Sequence, residues 1–325
     1  FAPSALLGAS PMGLRVVKGP SSSLTAPIRP CHMRKAAIHM SSDATPPAPA
    51  PAAPAANFLA PPALYKAMAN TGSVKAGYSW WKTLYMGILA GVYIGFGSCL
   101  TLAVGGACTG LAAAGNLGLQ KIITGAFGLP FGLLMVTVGG AELFTGNTAV
   151  MTAAYSEGKC TKKDIAKNWF WSYLGNLIGS VALAVLVFNS GALPPPSVAA
   201  ALTVSSTKAG LAFMPAFLRG ILCNWLVCMA VWQAAAAQDI GSKALAIWFP
   251  ISAFIAMSFE HSVANMFFLP LGMQMGAAGV TLKTMFLGNI LPVTLGNLVA
   301  GAFFVAGSYA LCFGTPGEKV KKMLG

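Results

Sequence analysis

The sequence predicts an all-α membrane protein: six transmembrane helices arranged as a 3+3 inverted repeat, with the second and fifth helices broken at membrane depth. Three observations predict it. Residues of the AVILMFWYC set fill 56 % of the 325 positions and Asp, Glu, Lys and Arg only 8 %, whereas a soluble domain carries about 25 % charge. Six apolar stretches are long enough to cross a hydrocarbon core of about 30 Å, which takes about 20 residues. Short signatures recur in the same order in the first three and the last three of these stretches.

The elements follow in chain order. Residues 1 to 42 contain Arg15, Lys18, Arg29, Arg34, Lys35 and the serines Ser21, Ser22 and Ser23, and the first acid is Asp43. Basic, serine-bearing and acid-free composition is that of an organellar transit peptide. From Pro46 to Pro62 the chain is almost purely Pro and Ala, a composition that favours extended geometry and forms no packed core. Residues 1–62 therefore stand apart as a transit-peptide-like, disordered segment, 63–313 as the six-helix domain, and 314–325 as a basic C-terminal tail.

The six spans run roughly over 84–107, 124–150, 168–190, 211–236, 244–272 and 285–313. An even number puts both termini on one side. Lys66, Lys75, Lys82, Lys159, Lys162, Lys163, Lys167, Lys243, Lys319, Lys321 and Lys322 fall on that side, against Lys121, Lys208, Arg219 and Lys283 on the other. This positive-inside asymmetry orients the chain with its termini in the cytoplasm or its organellar equivalent. The net charge of +13 thus encodes topology and not nucleic-acid binding, for which a continuous basic face is missing. Trp80, Trp81, Trp169, Trp171, Trp232 and Trp248 are read as a headgroup-level belt on the lysine-rich side. The seven cysteines have no metal or redox spacing and read as reduced thiols, with no metal site.

The repeat is visible in the letters. Gly87-Ile88-Leu89 returns as Gly220-Ile221-Leu222, Glu142 with Asn147 returns as Glu260 with Asn265, and Leu174-Gly175-Asn176-Leu177 returns as Leu295-Gly296-Asn297-Leu298. Each half has three spans, an odd number, so the two copies cross in opposite senses and a solute site is expected near the midplane.

A charge at the bilayer centre costs about 2.5–3.5 kcal/mol even on insertion scales, so Glu142 and Glu260 mark special positions. Gly139-Gly140-Ala141-Glu142-Leu143-Phe144-Thr145-Gly146-Asn147 carries three glycines, and a break there is expected. A carboxylate beside a new half-helix N-terminus can accept its free amide protons; direct contact with a solute is the other reading. His261 is the only histidine after residue 39. A core histidine bonded to a carbonyl is the ordinary reading, but a neighbour about 100° round the helix from Glu260 is free to face a pore, where imidazole is the natural proton exchanger. Lys208, in the run Ser205-Ser206-Thr207-Lys208, reads either as an anion collector or as an ordinary loop charge. Phe144, Leu129, Leu133, Phe254 and Val227 read as packing residues or gates, which periodicity does not separate. No catalytic or cofactor motif is present, so neither an enzyme nor a cofactor is expected.

The chain resembles the formate/nitrite transporter family. The resemblance rests on Lys82-Thr83-Leu84-Tyr85, Gly140-Ala141-Glu142-Leu143-Phe144-Thr145-Gly146-Asn147, Ala166-Lys167-Asn168-Trp169, Gly220-Ile221-Leu222-Cys223-Asn224-Trp225-Leu226-Val227-Cys228, Phe259-Glu260-His261-Ser262-Val263-Ala264-Asn265-Met266 and Pro292-Val293-Thr294-Leu295-Gly296-Asn297, spanning residues 63 to about 313. It implies an aquaporin-like protomer in a homopentamer, each protomer with a pore for small monovalent anions such as nitrite and formate, handled together with protons. By this likeness His261 is the proton relay; Thr145, Asn224, Asn265, Lys208 and Lys75 are substrate-binding positions; Phe144, Val227 and Phe254 form a constriction on one side of the histidine, and Leu129 and Leu133 on the other. With its N-terminal extension the chain is similar to plastid nitrite transporters of the algal type, which implies the chloroplast inner envelope with both termini stromal. Transport of bicarbonate or of a neutral solute stays open at this point.

Overall fold

Proline and small polar residues set the helix starts, and glycines set how closely the helices meet. The computed structural model describes residues 58–325; the transit-peptide-like composition of residues 1–57 lies outside the described residues. Each half opens on a helix before its first span. These are α1, Pro61–Ala76, and α8, Pro195–Ala209, each with proline in the first turn, where the ring removes no intrahelical bond. The run holding Lys208, read above as a short polar segment, is the last turn of α8. The first span is α2, Trp80–Val104, whose Ser79 cap accepts from Lys82 N. The short α3, Thr109–Ala113, leads to the second span, which comes in three pieces: α4, Leu117–Ala126, α5, Leu129–Val138, and α6, Phe144–Ser156. The third, α7, Lys162–Ser190, starts at a reciprocal Thr161–Asp164 capping box and ends at Gly191 with φ +61°.

In the second half α9, Phe213–Ala236, precedes the broken fifth span, α10, Ile240–Ala256, and α11, Ser262–Gln274. The last span, Thr284–Phe313, contains two π-helical stretches, Thr284–Ile290 and Ala300–Gly307, and a final helix covers Thr315–Leu324. Among the described residues, five helices are long and apolar enough to cross a membrane. The 17-residue α10 completes its crossing only together with α11.

The halves are built alike. In each, the first and third spans meet backbone to backbone: a Cβ on Gly87 of α2 would lie 3.2 Å from Gly175 Cα of α7, and one on Gly220 of α9 would lie 3.3 Å from Gly296 Cα of the last span. Small residues at such crossings let dispersion contacts hold helices together where lipid supplies no hydrophobic drive. The tryptophan belt is smaller than the sequence suggests. Trp80 and Trp81 are exposed, but Trp232 is fully buried against Tyr309, and the indole N–H groups of Trp169 and Trp248 donate to Asn147 O (3.3 Å) and Ala126 O (2.8 Å). Trp232 therefore packs inside the bundle, while Trp169 and the exposed Trp248 give their indole N–H groups to backbone carbonyls of the protein.

Candidate functional site: the paired helix breaks and the pore between them

The second span breaks over residues 139–143 and the fifth over 257–261. Each break turns two residues before its glutamate, at Gly140 (φ +70°) and at Ser258 (φ +58°), the one non-glycine with positive φ among the described residues. Glu142, 1 % exposed, accepts from Lys75 Nζ (2.5 Å), Asn147 Nδ2 (2.8 Å) and Asn168 Nδ2 (3.0 Å). Glu260, 3 % exposed, accepts from Lys208 Nζ (2.9 Å), Asn265 Nδ2 (2.7 Å) and Asn289 Nδ2 (3.2 Å). A buried carboxylate is tolerated because a cation and two amides surround it.

The glutamate side chains do not take the amide protons of the new helices, as the sequence reading expected. Two asparagines of the repeated Leu-Gly-Asn-Leu signature do. Asn176 Oδ1 accepts from Phe144 N (2.9 Å) while its Nδ2 donates to Gly87 O and Glu142 O. Asn297 Oδ1 accepts from Ser262 N (3.0 Å) while its Nδ2 donates to Gly220 O and Glu260 O. An amide side chain can donate and accept at once, whereas a carboxylate only accepts. Sequence reasoning used these asparagines to find the repeat and missed their work; nothing marked Asn168 or Asn289.

His261 is the N-cap of α11. Its Nδ1 accepts from Ala264 N (3.1 Å), so the ring hydrogen sits on Nε2, which meets Thr145 Oγ1 at 2.9 Å. No bond joins it to Glu260, in keeping with their angular separation. Thr145 is fully buried and reaches the pore through this imidazole; behind it Asn224 donates to Thr145 O (3.2 Å), Thr148 Oγ1 (3.2 Å) and Asn297 O (2.6 Å). Asn224 therefore supports the histidine's partner, and Asn265 belongs to the Glu260 cluster while also lining the wide cavity on that side.

Two cavities approach His261 from opposite faces. One, of about 580 Å³, is lined by Lys208, Glu260, Arg219, Leu129, Phe254 and His261 among others. The other, of about 290 Å³, is lined by Lys75, Glu142, Leu133 and Leu143 among others. Between them lies a pinched space of about 10 Å³ walled by Ile94, Leu129, Leu133, Leu143, Val227, Ile251, Phe254 and His261. Leu129 and Phe254 thus close the Lys208 side, and Leu133 and Leu143 the Lys75 side, a different pairing from the expected one. Phe144 is not on this path. Its ring packs edge-on to Tyr173 (4.8 Å) and Trp169 (6.4 Å), beside a separate apolar groove, and Leu143, one residue earlier, faces the pore instead. Ile94 and Ile251 carried no signal beyond apolarity.

The shared offsets of the two bond networks align Leu143 with His261, Val263 with Thr145, Ile94 with Val227 and Leu133 with Ile251. Three pairs of walls follow the repeat, Ile94 with Val227, Leu133 with Ile251 and Leu143 with His261, while the counterparts of Leu129 and Phe254 lie off the central space; its one polar wall is His261, backed by Thr145.

A family model described as formate/nitrite transporter matches residues 62–311. A probable formate transporter of Methanothermobacter thermautotrophicus is 42 % identical over 270 residues, 78 % of this chain and 96 % of that one. The formate channel FocA of Escherichia coli K12 is 32 % identical over 273 residues, 78 % of this chain and 94 % of that one. Among solved structures, an FNT family ion channel superposes with a TM-score of 0.66 at 31 % identity, covering 77 % of this chain and 98 % of that one. A pentameric formate channel with formate bound gives 0.63 at 29 %, covering 72 % and 97 %. With the family model covering most of its length, and relatives matched nearly end to end, the chain belongs to the formate/nitrite transporter family.

Proposed function

We propose that this protein carries small monovalent anions, nitrite and formate, through a pore in each protomer, and that they pass the centre as their conjugate acids by way of His261. The observation that carries this is the central space of about 10 Å³, in which His261 is the one polar side chain among apolar walls. A carboxylate-sized ion stripped of water costs tens of kcal/mol in the Born limit; the neutral acid avoids that cost. The relay uses both ring nitrogens. A proton taken up at Nδ1, at the expense of the Ala264 cap bond, lets the Nε2 proton pass to the anion, so that the net step is H⁺ + A⁻ → HA and the imidazole ends neutral. The ring regains its starting tautomer when Nε2 takes a proton from the adjoining cavity and Nδ1 releases its own, and Thr145 Oγ1, at 2.9 Å from Nε2, then accepts from the restored Nε2–H. Lys208 and Lys75, one in each wide cavity, draw the anion to either mouth.

The likeness to a pentameric channel supports a homopentamer. The basic, acid-free N-terminal composition and the lysine asymmetry support placement in the plastid inner envelope with stromal termini. The test is uptake of labelled nitrite and formate into proteoliposomes, with glycerol alongside. The expected result is anion uptake that rises as the external pH falls and no glycerol flux; glycerol passage without anion uptake points to a neutral-solute channel.

A further inference from the structure

The two halves act as controls for one another. Where both need the same structural task, the same residue type recurs: Lys75 and Lys208, Glu142 and Glu260, Asn147 and Asn265, Asn168 and Asn289, Asn176 and Asn297. A polar residue without a polar counterpart therefore needs another explanation. His261, Thr145 and Asn224 have theirs above. Arg219 has none. Its counterpart is Met86, and both do the same backbone work: Glu142 N donates to Met86 O (3.2 Å) and Glu260 N to Arg219 O (3.3 Å). Methionine suffices for that. Among the described residues the Arg219 guanidinium has no hydrogen-bond or ion-pair partner, although it is half-buried and lines the 580 Å³ cavity.

Charge is distributed unequally as a result. The cavity on the Lys75 side has two cations, Lys75 and Lys243, both engaged, one with Glu142 and the other with the carbonyls of Ala234 and Ala237. The cavity on the Lys208 side has Lys121, Lys208 and Arg219 against Glu260, which occupies Lys208. An Arg fork presents parallel N–H donors that match two oxygens on one planar centre, a shape shared by carboxylates and nitrite.

We infer that Arg219 is a substrate-collecting residue that seats the planar anion in the wide cavity before it reaches His261, and that it makes the pore asymmetric, with higher apparent affinity from the Lys208 side. This rests on the anion-transport reading above.

The test presents formate on one side at a time to proteoliposomes of a single protein orientation, comparing wild type with Arg219→Met, the residue the other half uses, and Arg219→Lys. In Arg219→Met the KM from the Lys208 side rises about fivefold to tenfold, as expected for losing a charge-assisted contact at a partly hydrated site. The KM from the Lys75 side and the melting temperature stay at wild-type values, while the maximal rate from the Lys208 side rises together with its KM, because a passive pore keeps the ratio of the two equal in both directions. Arg219→Lys, a charge without a fork, restores the salt dependence of KM and only part of the affinity. An unchanged KM, an equal rise from both sides, or a fall in maximal rate alone overturns the inference while leaving anion transport standing. Absence of formate flux in the wild type overturns both.

Discussion

His261 caps α11 and, on the proposed function, also relays a proton, and single substitutions can separate the two. Asparagine keeps an acceptor for Ala264 N and is a good N-cap, yet it has no ring through which a proton can pass. His261→Asn is therefore expected to fold with a melting temperature near wild type and to lose pH-driven anion uptake in proteoliposomes, while His261→Ala also loses about 1 kcal/mol of helix capping. The turns at Gly140 and Ser258 make a second residue-level test. A Cβ at Gly140 meets nothing within 4 Å, so Gly140→Ala should cost only the left-handed backbone penalty, about 1–2 kcal/mol. Ser258→Gly should gain part of that amount, read as opposite shifts in thermal unfolding. The sequence exposed His261 and both glutamates because charged or titratable groups are costly at membrane depth. Periodicity left Phe144 open between packing and gating, and the constriction role that the resemblance implied for it falls instead to Leu143, one residue earlier.

The broken spans stand or fall with their ion pairs. Lys75 comes from α1 and Lys208 from α8, so the helix that leads each half inserts a cation at that half's break. Lys75→Ala leaves Glu142 buried without its cation and should cost about 3–5 kcal/mol, visible as a large fall in melting temperature; replacing both partners by apolar residues should recover much of it. A second clamp ties the final helix to the body: Glu157 accepts from Tyr65 OH (2.8 Å), Thr315 N (3.0 Å) and Thr315 Oγ1 (2.7 Å). Burial pushes this carboxyl up, but the bonds from Thr315 and Tyr65 and the charge of Lys159 together hold it below the usual carboxylate range. A lowered native pKa adds stability above the unfolded-state value, and that stability disappears as pH falls through the native one. Amide protection over Thr315–Leu324, relative to the unfolded-chain exchange rate at the same pH, should accordingly fall on acidification below the ordinary carboxylate range, and at neutral pH in Glu157→Gln. The helix α8 was only partly legible in the sequence, since Ser205-Ser206-Thr207-Lys208 in its last turn read as a polar loop. Its cue was the proline in its first turn. The C-terminal residues, read as a basic tail, form the helix that Glu157 holds.

At the scale of the molecule, an internal repeat gives a frame in which each copy satisfies its own break with the same residue types, and His261 and Thr145, which depart from the repeat, meet beside the central space. The architecture was legible because three short signatures recur in order. The pore lining was legible only through the resemblance, which named Leu129, Leu133, Val227 and Phe254; Ile94, Leu143 and Ile251 are apolar residues in apolar stretches, and only their approach in space distinguishes them from packing. If each protomer conducts alone, native mass spectrometry of the detergent-extracted protein should give pentamers, and co-assembly with His261→Asn subunits should lower flux in proportion to their fraction. The central claim is that a proton travels with each anion. Proteoliposomes loaded with a pH-sensitive dye and given labelled formate report both fluxes together. Passage as the conjugate acid predicts one proton delivered per formate, no membrane potential, and loss of both signals in His261→Asn. Formate entry that builds a negative interior potential without acidification would contradict it.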